Sequence, residues 1–139
     1  MTEIKTTPFE SRFVYEDISS EFGKFKIELV EDLIYQDIHL GKVIVPKGFR
    51  SDLASIPSPV QNIISKVGPY DGAATIHDWL YCVQTTTRAE ADHIFLRVMK
   101  ASKVGYIKRY TIFWAVRLLA GFAWELSKKD ISMYRRIMK

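Results

Sequence analysis

His77, Asp78 and Tyr81 fall within five residues of one another, and Asp92 follows eleven positions after the tyrosine. A base, two carboxylates and a phenol at this spacing can do acid–base or metal chemistry if helices bring them together. Read as one helix, Ala73 to Tyr81 puts His77 and Tyr81 on one face and Asp78 and Cys82 on the next. A carboxylate on one imidazole nitrogen would fix the tautomer and leave the other nitrogen to act as a base. Buried, the same His–Asp pair would instead staple two helices. The spacing allows both readings.

The pair can meet only if a second helix returns along the first. Thr87 and Glu90 stand in capping-box spacing, so that helix is predicted to start at Arg88. Gln84, Thr85 and Thr86 make a connection short enough for antiparallel neighbours. His77 lies six positions before Val83 and Asp92 five after Thr87. At about 1.5 Å of rise per residue, each sits roughly 8–9 Å from the turn, so the two side chains are level.

Two kinds of chemistry can use them. A zinc site would draw three or four ligands from His77, Asp78, Asp92, Asp52 and His93. Adjacent helical residues point about 100° apart, however, so His77 and Asp78 are poor joint ligands. A division of labour fits better. His77 would be the general base for water, oriented by Asp92, while Tyr81 hydrogen-bonds a carboxylate. Asp78 would hold a hard divalent cation, calcium first with zinc or magnesium as alternatives, and Asp52 would be a second ligand. Asp52 arrives on the segment Pro46 to Pro57, whose Gly48 and prolines set a non-repetitive path. Ser55 on that segment is read as bonding neighbouring amides. His77 and Cys82 diverge on the helix, which leaves Cys82 as a small core residue.

The order His-Asp-x-x-Tyr, followed by Asp92-His93-Ile94-Phe95, resembles the helix pair of phospholipase A2, above all its compact bacterial and parvoviral types. That likeness covers about residues 70 to 99. It implies a histidine that activates water and a calcium ion that stabilises the oxyanion of the attacked ester. The glycine-rich calcium loop of that family is absent, and Gly48 to Asp52 would have to replace it. A longer likeness runs from about Phe25 to Trp124. Val45-Pro46-Lys47-Gly48-Phe49-Arg50-Ser51-Asp52-Leu53-Ala54-Ser55-Ile56-Pro57, then His77-Asp78-Trp79-Leu80-Tyr81 and Ala91-Asp92-His93-Ile94-Phe95, are similar to a family of bacteriophage and prophage proteins known as domain of unknown function 1353. That resemblance implies a phage origin and supplies no activity. A non-enzymatic virion or assembly protein, with a structural His/Asp cluster, is therefore the alternative to a hydrolase. A third reading makes the basic tail and the aromatic helix a nucleic-acid or membrane-surface contact.

The elements that must position these residues read as an α+β protein: a small N-terminal antiparallel β-sheet followed by three or four packed helices. Residues 1 to 11 look like an arm or edge segment. Strands are expected at Phe13 to Tyr15 and Phe25 to Leu29, with a return strand at Leu33 to Tyr35 after a turn at Glu31-Asp32. Ile38 to Leu40 and Val43 to Val45 would add one or two more. Ser58-Pro59 would open a short helix to Lys66. Gly105 would precede one long helix, Tyr106 to Lys128, apolar on nearly every face. Burial is its default fate, with Ile112, Trp114, Leu118, Leu119 and Phe122 inside and Arg117 seeking a carboxylate.

With 139 residues the chain is long enough for a single domain with a real core. A hydrophobic fraction of 47% and a charged fraction of 26% suit a folded protein. The net charge of +4 is too weak to make nucleic acid the expected partner. A lipid or phosphoester substrate and other virion proteins are the partners the readings imply. One cysteine excludes an internal disulfide. No signal peptide or transmembrane run is read from the sequence, so the host cytoplasm or the virion is expected. The basic tail, 129 to 139, should be solvated.

Overall fold

Alternation of apolar and polar residues builds the N-terminal part. In the computed structural model of the chain, residues 2–5, 8–18, 27–51, 71–132 and 136 are described. They fall in two compact units, Met1–Leu53 and Ala54–Lys139. The described residues of the first unit form strands and turns. Strands β1 (Thr2–Lys5), β2 (Phe13–Asp17), β3 (Ile27–Leu29) and β6 (Arg50–Ser51) form an antiparallel sheet in the order β1-β2-β3-β6. Among the described residues, strands β4 (Leu33–Asp37) and β5 (Gly41–Val45) pair only with each other. The expected arm is thus an edge strand over Thr2 to Lys5, in register with Lys5 opposite Phe13.

Two expectations for this unit are corrected. Leu33 to Tyr35 does not return along the preceding strand: β3 pairs with β2 and β6, while β4 pairs with β5. Local alternation specifies a strand's faces but not its partner. Ile38 to Leu40 is a turn rather than a strand. Buried Asp37 accounts for it, because its carboxylate accepts the amides of His39 and Leu40 at 3.1 and 3.0 Å. Gly41 then takes φ +92°, a left-handed conformation suited to glycine. Inward residues Phe13, Leu29, Leu33, Tyr35, Val43 and Val45 are buried and form this unit's core.

The second unit is helical: α1 (Asp71–Val83), α2 (Arg88–Ala101), α3 (Tyr106–Leu119) and α4 (Gly121–Ser127), then one 3-10 turn, Lys128–Asp130. Together the two units bear out the α+β expectation of a small antiparallel β-sheet followed by helices. Helix α1 is central, with Gly72 to Tyr81 and Val83 all buried. Helix α2 starts at the predicted residue, and both arms of the capping box are made between Thr87 and Glu90. It ends before Gly105, through Lys103 at φ 66° and a bond from the Val104 amide to the Met99 carbonyl. Ile94, Phe95, Val98 and Met99 of α2 and Ile112, Phe113 and Val116 of α3 are buried with it.

The single long helix predicted from Tyr106 is broken at Ala120. Helix ends leave carbonyls without partners. Arg88 supplies a partner here, donating to the Arg117 carbonyl at 3.1 Å, and it also reaches the Val116 carbonyl at 3.4 Å beside the Ala120 amide. A cation on the last turn also suits the helix dipole. The expected burial of this region is overturned too. Ile112 is buried, but Trp114, Leu118, Leu119 and Phe122 are exposed. Of the predicted elements, the short helix at Ser58 to Lys66 lies outside the described residues, as do Asp52 and Ser55.

Candidate functional site

The centre of the site is one carboxylate, Asp92, fully buried on α2. The connection from Gln84 to Thr87 turns the chain back so that Asp92 faces His77 and Tyr81 of α1. His77 Nε2 lies 2.8 Å from Asp92 Oδ1, and the Tyr81 hydroxyl donates to the same oxygen at 2.7 Å. Arg117, from α3, donates to Oδ2 at 2.7 Å. Arg88, one turn before Asp92, brings its guanidinium to 3.7 Å from Oδ2. Three helices therefore converge on one side chain.

Ring packing holds the donors in place. The His77 ring stacks on Phe95 at 4.4 Å between centroids and packs against Tyr81 at 4.3 Å. Trp124 of α4 sets its ring edge-on to Tyr81 at 5.0 Å. The Trp124 carbonyl accepts the Gln84 side-chain amide at 2.8 Å, which ties α4 to the turn after α1.

The electrostatics follow from these contacts. Burial by itself pushes the Asp92 carboxyl up, but the hydrogen bond and charge interaction with His77 outweigh it, helped by the hydrogen bonds from Tyr81 and Arg117. The group is held below the ordinary carboxylate value and stays ionised at neutral pH. Burial, and next the charge of Asp92, hold the Tyr81 hydroxyl well above the ordinary phenol value, so it remains a neutral donor. An ionised carboxylate only accepts, so the proton of the His77–Asp92 bond sits on Nε2. In the neutral ring the lone pair is then on Nδ1.

The predicted catalytic residues His77, Tyr81 and Asp92 are thus brought together. Arg117 also finds the carboxylate that its position requires. Asp78 follows His77 on α1, is mostly buried, and is engaged in an interaction of its own. His93, a possible zinc ligand, is exposed with Nδ1 at 2.8 Å from the Ala89 carbonyl. Among the described residues no three His, Cys, Asp or Glu side chains come together as a metal site. Asp52, the other predicted cation ligand, lies outside them. Sequence reasoning missed Arg88. Its signal was available in the i,i+4 spacing to Asp92.

The sequence profile of a family described as "Protein of unknown function (DUF1353)" matches residues 27–116. The uncharacterized protein y4jT of Sinorhizobium fredii (strain NBRC 101917 / NGR234) is 33% identical over 109 residues. That match covers 76% of this chain and 32% of the relative, so the chain spans about a third of that protein's length. No solved structure matches the chain.

Proposed function

The chain belongs to this family of proteins of unknown function (DUF1353), and from that premise we propose that it is a phage-encoded hydrolase of an ester or phosphoester. The observation that carries the reading is the bond between His77 Nε2 and Asp92, shared with Tyr81. It commits one imidazole nitrogen to an ionised carboxylate and leaves the other as the base. Water would lose its proton to Nδ1 while its oxygen attacks the carbonyl carbon or phosphorus, and Asp92 would steady the imidazolium that forms. The proton would then pass from His77 to the leaving oxygen. Asp78 is assigned to a divalent cation, calcium in first place, which when bound would polarise the ester oxygen. The phage origin rests on the resemblance of the segments that carry His77, Asp92 and Gly48.

A second reading is favoured by a specific observation. Both oxygens of Asp92 are occupied, and one of them by Arg117, so part of its charge is already neutralised. His77 itself is 1% exposed. A virion or assembly protein would use such a cluster to lock three helices together.

His77→Gln separates the two, because a glutamine amide can still donate to Asp92. Asp92 variants lose Arg117 as well and would destabilise the fold under either reading. Wild type, His77→Gln and Asp78→Asn would be assayed on phospholipid and phosphodiester substrates with calcium, magnesium or zinc, beside thermal unfolding. The hydrolase reading expects turnover by wild type, its loss in a folded His77→Gln protein, and weakened metal response in Asp78→Asn. Absence of turnover and of any metal-dependent shift, with His77→Gln badly destabilised, leaves the structural reading.

A further inference from the structure

The helical unit exposes a row of large apolar side chains on α3 and α4. Ile107, Trp114, Leu118 and Phe122 are 79%, 57%, 76% and 74% exposed. Positions 107, 111, 114 and 118 recur at helical spacing and share one face of α3. Phe122 follows one turn later, past the break at Ala120. Thr111 interrupts the row only in name, since its hydroxyl donates back to the Ile107 carbonyl at 2.7 Å. A contiguous apolar row of this kind marks a contact surface.

The surrounding charge identifies what it contacts. From His93 to Trp124 the sequence has no Asp or Glu, but it has Arg97, Lys100, Lys103, Lys108, Arg109 and Arg117. Lys103 just before α3 and Lys108 in its first turn are exposed, as are Lys128 and Lys129 just after α4. Glu125 is the first acid after this stretch, and Lys128 already pairs with it at 3.1 Å. A second copy docking through this face would set the same lysines against one another. Nucleic acid would match the lysines and leave the leucine and phenylalanine in water. An anionic bilayer surface satisfies both features, with lysines on lipid phosphates and apolar side chains at the acyl boundary. Exposed Tyr106 and Trp114 suit the headgroup level, where one end of the ring is apolar and the other wet. Among the described residues no helix is long and apolar enough to cross a membrane, which fits helices lying on it.

We propose that the α3–α4 face binds the surface of an anionic phospholipid bilayer, with Ile107, Trp114, Leu118 and Phe122 entering the interface and Lys103 and Lys108 on the phosphates. The binding is independent of hydrolysis and of the role given to His77.

The test uses the whole chain with vesicles of phosphatidylcholine, with and without phosphatidylglycerol, at low and high salt. Binding to the anionic vesicles should be at least about tenfold tighter than to neutral ones and should weaken as salt rises. Tryptophan emission should shift to the blue on binding, and Trp114→Phe should remove most of that shift, since Trp79 is buried in the core and Trp124 packs edge-on against Tyr81. The pair Leu118→Ser and Phe122→Ser should lower affinity by about tenfold or more, and so should the pair Lys103→Glu and Lys108→Glu. Circular dichroism checks that both double variants keep their helices. Absence of binding to anionic vesicles at low salt overturns the proposal. So does binding untouched by the serine pair, which would be charge attraction alone. A dimer in sedimentation that the serine pair dissociates would assign the face to a second copy instead.

Discussion

Arg117 and Leu118 are neighbours on α3, yet the guanidinium reaches a buried carboxylate while the leucine is left in solvent. The same contrast holds for the two regions they belong to. One is a polar knot of His77, Tyr81, Asp92 and Arg117 in the interior of the helical unit. The other is an apolar row on its outside. Hydropathy alone would assign them the other way round. A charge can be enclosed when a partner of opposite charge and further hydrogen-bond donors already wait there, and Asp92 has three such donors. An apolar side chain stays outside when the core facing that helix is filled. Here Ile112, Phe113 and Val116 occupy the inward positions. The informative features of a fold are these exceptions, the buried polar group and the exposed apolar one.

The strongest way to break the knot is Asp92→Asn. It removes the charge that Arg117 and His77 share and leaves a cation in a poorly solvated place. Such losses destabilise by about 3–5 kcal/mol, which urea denaturation at neutral pH would measure. A variant as stable as wild type would show that the knot holds nothing together. The pH dependence gives a second readout of the same group. The folded Asp92 titrates below its ordinary value, so it contributes stability above the unfolded carboxylate pKa of about 3.9. That contribution is lost as pH falls through the folded value. The stability of wild type should therefore drop more steeply below about pH 4 than that of Asp92→Asn.

Tyr81→Phe tests the knot more gently. It deletes one donor to a charged acceptor and leaves His77 and Arg117 in place, so about 1.5–3 kcal/mol should be lost. The ring contacts with His77 and Trp124 survive in the variant. A change well beyond that range would mean that the phenol orders the whole cluster.

Much of the knot was legible in the chain. Thr87 and Glu90 announce where α2 begins, and counting residues from the turn brings Asp92 level with His77. The spacing of an isolated arginine in an apolar helix states that it needs a carboxylate. It does not say which, because the approach of α3 to α2 is set by packing far apart in sequence. The β-strands show the same limit. Leu33 to Asp37 alternates as a strand should, but its pairing with Gly41 to Val45 depends on Asp37 capping the turn between them. The break at Ala120 was hidden for a similar reason, since the arginine that caps the preceding helix lies on another element.

The smallest expected effect belongs to the apolar row. A core tryptophan cut to alanine would destabilise by about 3–5 kcal/mol. Trp114 is 57% exposed, and its aromatic contact is with Phe113, the preceding residue on its own helix. Trp114→Ala should therefore change stability by only about 0.5 kcal/mol. Thermal and urea unfolding of this variant beside wild type would measure it. A loss of several kcal/mol would mean that the row is covered in the folded protein, and the contrast between Arg117 and Leu118 would collapse with it. A near-neutral result leaves Trp114 with no part in holding the helices together. Its size and position at the surface then have to be explained by what the face meets outside the chain.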